Sequence, residues 1–114
     1  MPEDVAAQFE RASAGWQEKL RADEWFFAEL RDRLVNPLTP SEALRGIGGV
    51  VDLILREPDS YLRSEAGQLL IALARRSDTT ELHPALQERW QQVVSRLPRV
   101  EAEQVASWYR RASA

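Results

Sequence analysis

Apolar residues recur at helical spacing along most of this chain, and no stretch alternates apolar and polar positions as a half-buried strand would. Val5, Phe9, Ala12, Trp16, Leu20, Phe27, Leu30 and Leu34 fall within about 60° of one direction if the first third is a single α-helix. The spacing predicts a helix from about Pro2 to Val35. Pro2 suits a first turn, and Glu3 and Asp4 complement its N-terminal dipole. Gly15 weakens such a helix by about 1 kcal/mol relative to Ala, too little to end one this long. Asn36-Pro37 does end it, because a residue before proline avoids the α region. Asp23 stands on the stripe and offers an alternative: it can cap a second helix, with Leu20-Arg21-Ala22 as a joint. The unbroken register favours one continuous or mildly kinked helix, since a joint usually resets the phase.

Prolines punctuate the rest. Thr39-Pro40-Ser41-Glu42 reads as a capping box with proline at the first helical position. The helix it opens carries Leu44, Ile47, Val51 and Ile54 and stops at Glu57-Pro58. Asp59 is the next N-cap. The helix behind it, to about Arg76, has the broadest apolar face of the chain: Leu62, Ala66, Leu69, Leu70, Leu73 and Ala74. After the polar stretch Ser77 to His83, a fourth helix runs from about Pro84 to Arg96 with Leu86, Trp90, Val93, Val94 and Leu97 inward. Pro98 separates a fifth, from about Val100 to Ala112. The expected fold is all-α: one domain over 1–114, a compact bundle of about five helices. The long N-terminal helix is followed by antiparallel helical hairpins, because the connections are only a few residues long.

The run Asp59-Ser-Tyr-Leu62-Arg63-Ser-Glu-Ala66-Gly67-Gln-Leu-Leu70-Ile-Ala-Leu73 places an aliphatic–Arg pair, then a small residue, then leucines after an acidic start. In this pattern, residues 59–97 resemble a HEAT-type helical hairpin. The resemblance implies stacked helix pairs and a protein-binding surface.

Composition narrows the function classes. The net charge is −3, with 11 acidic and 7 basic residues in 1–57 and 7 and 8 in 58–114. Neither half has the clustered cations that phosphate-backbone binding needs, so nucleic acid is disfavoured as a partner. No run of about 18 apolar residues exists to span a membrane. The acidic N-terminus lacks the basic-then-apolar order of a signal peptide. The absence of cysteine removes disulfide, thiolate-metal and cysteine-nucleophile chemistry. Together these predict a cytoplasmic protein. Fourteen of its 15 basic residues are Arg, which fits a GC-rich bacterial genome.

Candidate chemistry is sparse, and no cofactor, metal or catalytic residue is assigned. Gly46-Ile47-Gly48-Gly49 lies inside a helical pattern without the strand a phosphate loop requires, so it reads as a close helix–helix approach. His83 is the only histidine and precedes Pro84, as a helix-entry residue does. Asp23, Glu24, Glu29 and Asp32 are interleaved with Arg21, Arg31 and Arg33, the pattern of a solvated helix face. Trp25 is about 160° from the apolar stripe and Phe26 about 100° away. Because Trp and Arg are enriched at binding hot spots, Trp25 with Phe26 and Arg21 is the leading candidate contact surface; the alternative is that helix 1 is wrapped on two sides, which makes Trp25 part of the core. Trp108 and Tyr109, followed by Arg110 and Arg111, form a second one.

The expected function is a non-enzymatic protein–protein interaction module, such as a small adaptor, regulator or toxin-neutralising immunity-type protein. Two rival readings are weighed beside it. Phe9, Trp16 and Leu30, with Leu20, Phe27 and Leu34, recur at sevens and could form a homodimer seam along helix 1. A small-ligand or enzyme pocket would instead form between helices near Asp23.

Overall fold

The computed structural model describes residues 4–110, with Arg110 as backbone only, and every regular element among them is a helix. These are α1 (Val5–Ala12), α2 (Trp16–Ala22), α3 (Phe26–Val35), α4 (Pro40–Arg56), α5 (Ser60–Ser77), α6 (Pro84–Glu88), α7 (Trp90–Arg96) and α8 (Arg99–Arg110). The all-α class is as expected. The count of five is not, and both corrections concern helices that break.

The long N-terminal helix is three helices. Gly15 adopts the left-handed conformation at φ 69°, which glycine enters without a Cβ penalty, and ends the α1 direction. Asp23 is extended at φ −150°, ψ 105°, and its Oδ1 accepts the Trp25 N–H at 3.0 Å. That side-chain turn competes with the helix for the local backbone donors, so Asp23 is the joint. The predicted helix from Pro84 to Arg96 also divides, at Arg89 (φ −116°, ψ 22°), into α6 and α7.

Where capping chemistry was strong, the boundaries hold. Thr39 Oγ1 accepts the Glu42 N–H at 3.2 Å, and Glu42 Oε1 accepts the Thr39 N–H at 2.8 Å. Asp59 Oδ1 accepts from the N–H groups of Tyr61 and Leu62. Thr39→Ala is expected to lower stability by about 1 kcal/mol in a thermal or urea melt, the usual effect of losing an N-cap hydroxyl. The Thr39 N–H and hydroxyl hold the Glu42 carboxyl below its ordinary 4.5. A depressed folded-state pKa stabilises above the ordinary value. That contribution is lost as pH falls through the lower, folded value.

Residue pairs across the helices fix their directions. A Cβ on Gly46 would stand 3.6 Å from Leu73 Cδ1, near one end of the α4–α5 hairpin, so α4 and α5 are antiparallel. Asp4 and Ala6 lie against Gly49, and Glu10 pairs with Arg56, so α1 runs parallel to α4. His83 packs at Gly48, Arg89 bonds Asp52, and Arg96 bonds Ile54 O, so α6 and α7 also follow α4. Phe27 meets Tyr61 and Arg31 meets Glu65, so α3 follows α5. Ser64 bonds Glu101 and Gln68 bonds Gln104, so α8 does too.

The result is three antiparallel hairpins, α1/α3, α4/α5 and α6–α7/α8, stacked into two layers. The first layer is α1, α4 and α6–α7; the second is α3, α5 and α8. The middle hairpin is the core: Ile47, Val50, Val51, Ile54, Ala66, Leu69, Leu70 and Leu73 are fully buried. A Cβ on Gly49 would collide with the Asp4 carboxylate and one on Gly48 would crowd His83, so these two are close-approach positions; at Gly46 it would make ordinary contact with Leu73 and Val5. None of the helices described is long and apolar enough to cross a membrane.

The proposed heptad seam is consumed inside the chain. Phe9, Phe27 and Leu30 are buried, and Trp16, Leu20 and Leu34 pack against the same core. Once the chain turns at Gly15 and Asp23, the apolar residues of α1, α2 and α3 each pack onto the core of this chain.

Candidate functional site

The α2–α3 elbow is built by the Asp23 turn. Holding the Trp25 N–H fixes residues 23–25 and places Trp25 at the N-cap of α3. Trp25 is 63% exposed, the most exposed large hydrophobic residue described. Phe26 follows, half-buried, its ring edge-on to Phe27 at 4.9 Å. Lys19 Nζ sits 5.8 Å from the Phe26 ring centroid while donating to Ala12 O at 2.8 Å, which ties α2 back onto the end of α1. Arg21 is exposed in the last turn of α2. The structure therefore brings Arg21, Trp25 and Phe26 to one elbow.

Sequence reasoning missed two neighbours of that elbow. Trp16 and Tyr61 stack face to face, centroids 4.7 Å apart with planes 9° from parallel, and Tyr61 is 39% exposed. Phe27 touches both rings and Phe9 beneath them. A continuous helix assigned Trp16 wholly to the core stripe. The left-handed Gly15 immediately before it was the signal that its side chain could be re-aimed. Tyr61, in the first turn after the Asp59 cap, carried no such signal.

Two acidic groups nearby are perturbed. The negative charge of Asp23 raises the Glu29 carboxyl above its ordinary value, reinforced by a hydrogen bond between the two side chains. Asp23 thus serves the turn and repels Glu29, and its place on the former stripe is accounted for by the joint. Burial raises Glu65, and Arg31 at 2.7 Å pulls it part of the way back. Burial also raises the Tyr61 hydroxyl, with the Glu65 charge adding to it.

The second candidate surface separates into two roles. Trp108 is half-buried, pinned by its Nε1–H to Thr79 O at 3.1 Å, and borders an open cleft of about 350 Å³ with Arg75, Gln104 and Ser107. Tyr109 points into the core, 7% exposed and edge-on to Trp90. Its hydroxyl finds no hydrogen-bond partner among the described residues, and burial pushes its pKa up to about 12. Tyr109 is therefore not placed to touch a partner. The side chain of Arg110 and all of Arg111 lie outside the described residues. His83 is the N-cap of α6, its Nδ1 accepting the Ala85 N–H at 3.1 Å.

No protein-family model, curated protein or solved structure matches this chain.

Proposed function

We propose that this chain is a non-enzymatic, HEAT-like helical module of a bacterial cytoplasm that binds another protein through the α2–α3 elbow, as a small adaptor, regulator or toxin-neutralising immunity-type protein does. The observation that carries the reading is Trp25, 63% exposed on a turn that Asp23 holds rigid. An exposed indole on a fixed backbone supplies a large contact area at little ordering cost, and Trp and Arg are the residue types that dominate interface energetics. Arg21 and Phe26 stand in the same elbow, and the Trp16–Tyr61 stack meets the start of α3 through Phe27. The HEAT-type resemblance covers residues 59–97, but α5 pairs with α4 and α6–α7 with α8, so that segment is not itself one hairpin. What suits a HEAT-like module is the stacking of the three hairpins, since repeat architectures bury their cores between neighbouring hairpins and bind along their exposed surfaces.

The test is affinity capture on immobilised wild-type chain and on Trp25→Ala, from lysate of the source cell. Trp25→Ala should stay within about 1 kcal/mol of wild-type stability, because the side chain is exposed. A specific partner should be retained by the wild type and bind the variant about 30-fold more weakly, a hot-spot loss of about 2 kcal/mol. Identical capture by both proteins would remove the elbow as the binding surface.

A further inference from the structure

Two clefts lie on the second layer, one on each side of the last turns of α5, and they share Arg75. The first, of about 330 Å³, has Arg31, Asp32 and Asn36 on the α3 side and Arg75 and Arg76 on the α5 side. The second, of about 350 Å³, has Arg75 facing Gln104, Ser107 and Trp108 of α8. The polar groups left without partners along this groove are donors. Arg76 Nε donates to Leu38 O at 2.7 Å, while its Nη groups and the whole Arg75 guanidinium meet no acceptor among the described residues. Gln104 Oε1 accepts from Gln68 Nε2 at 3.2 Å, which leaves its own amide N–H groups free. The exposed Ser107 hydroxyl has no partner among the described residues either.

The neighbouring acids do not neutralise these donors. Glu65 is paired with Arg31 at 2.7 Å. Glu101 is buried and accepts from Ser64 and Gln68. Asp32, on the α3 rim, is the one carboxylate among the described lining residues. Two guanidinium groups, an amide and a hydroxyl thus stand against a single carboxylate, on a chain whose net charge is −3.

We propose that this groove binds an acidic peptide segment of another protein, its carboxylates pairing with Arg75 and Arg76 and its backbone running past Gln104 and Ser107. A guanidinium takes a carboxylate through two parallel N–H···O bonds, and the amide and hydroxyl donors suit the carbonyls between such side chains. Trp108, its Nε1–H fixed on Thr79 O, supplies a rigid apolar wall at one end. A peptide fits better than a nucleic acid, because the two free cations are neighbours at one end of α5 rather than the row that a phosphate backbone needs. The elbow stands at the start of α3 and the groove at its end, so neither reading rests on the other.

Nuclear magnetic resonance titration of the full chain with hexaglutamate, capped at both termini, tests this at about 20 mM salt, where exposed charge pairs are little screened. The expected result is saturable shifts of the Gln104 side-chain amide and the Trp108 indole N–H, with Kd on the order of 0.1–1 mM. Arg75 is exposed, so Arg75→Gln should melt as the wild type does and bind the peptide at least tenfold more weakly. No saturable shift at these groups overturns the proposal. So does equal binding by Arg75→Gln, or the same shifts with capped hexalysine. Tighter binding of a thymidine hexanucleotide than of hexaglutamate overturns it in favour of a nucleic acid. None of these results bears on Trp25, whose loss of partner capture is read separately.

Discussion

Phe27→Ala should lower the free energy of unfolding by about 3–5 kcal/mol, read as a fall in the urea midpoint. Phe27 is 3% exposed and is the hub of the aromatic cluster: Phe9 at 6.1 Å, Trp16 at 6.2 Å, Phe26 at 4.9 Å and Tyr61 at 5.8 Å all meet its ring. Truncation removes the transfer energy of the ring. It also leaves a hole bounded by other rings, which do not collapse easily because each is anchored on a different helix. A domain of this size has a total stability of about 5–15 kcal/mol, so the variant stands near the edge of folding. Phe27→Leu, which keeps most of the volume, should lose less than half as much. A loss below about 1.5 kcal/mol for the alanine variant would mean that the first hairpin is not packed on the second through this ring.

The second large effect is expected where backbone carbonyls depend on arginine. α4 ends at Arg56, and the carbonyls of its last turn have no helical partners. Arg96, arriving at the end of α7, donates from Nε to Ile54 O at 3.2 Å and from Nη2 to Glu57 O at 2.8 Å. Arg63 donates from Nη1 to Glu57 O and Pro58 O, both at 2.9 Å, and from Nε to Arg96 O at 3.3 Å. The two guanidinium groups thus join the second hairpin to the third. Arg96→Met keeps the apolar stem and removes the donors. It should cost about 1.5–3 kcal/mol in a urea melt, the range for hydrogen bonds from charged groups in partly buried sites. Arg96→Lys should recover little of this, since a single ammonium does not reproduce the planar fork that reaches both carbonyls.

The parts of the fold legible in the sequence are those governed by contacts within one turn of the chain. Thr39 and Glu42, Asp59, and His83 before Pro84 each start a helix where a side chain and a nearby N–H satisfy each other locally. The same locality explains the misreading of the first third. The interruptions at Ser13–Gly15 and Asp23–Trp25 are each three residues long, close to one helical turn of 3.6. The apolar phase therefore survives both joints almost unchanged. Register records which side of a helix is apolar and carries no information about whether the axis has reversed. Asp23 carries a helical reading and a turning one, Gly15 only a helical one, and the competition with α4 and α5 for burial turned the chain at both.

The contact surface divides in the same way. Trp25 was visible because it stands off the stripe, but that position fits either a contact surface or a helix wrapped on two sides; the structure leaves it exposed. Tyr109 was grouped with Trp108 by adjacency, yet α8 turns about 100° between them and carries Tyr109 inward. Trp16 and Tyr61 are 45 residues apart and form a stack that no spacing in the sequence contains.

The sequence by itself determined the helical class, the starts of α4, α5 and α6, and the apolar face of the middle hairpin, because periodicity and capping act over a few residues. The tertiary structure alone decided where the chain reverses, how the three hairpins stack, and which aromatic residues remain in water at the elbow. Those outcomes depend on which helices compete for the same buried surface, and that competition links residues far apart in the chain.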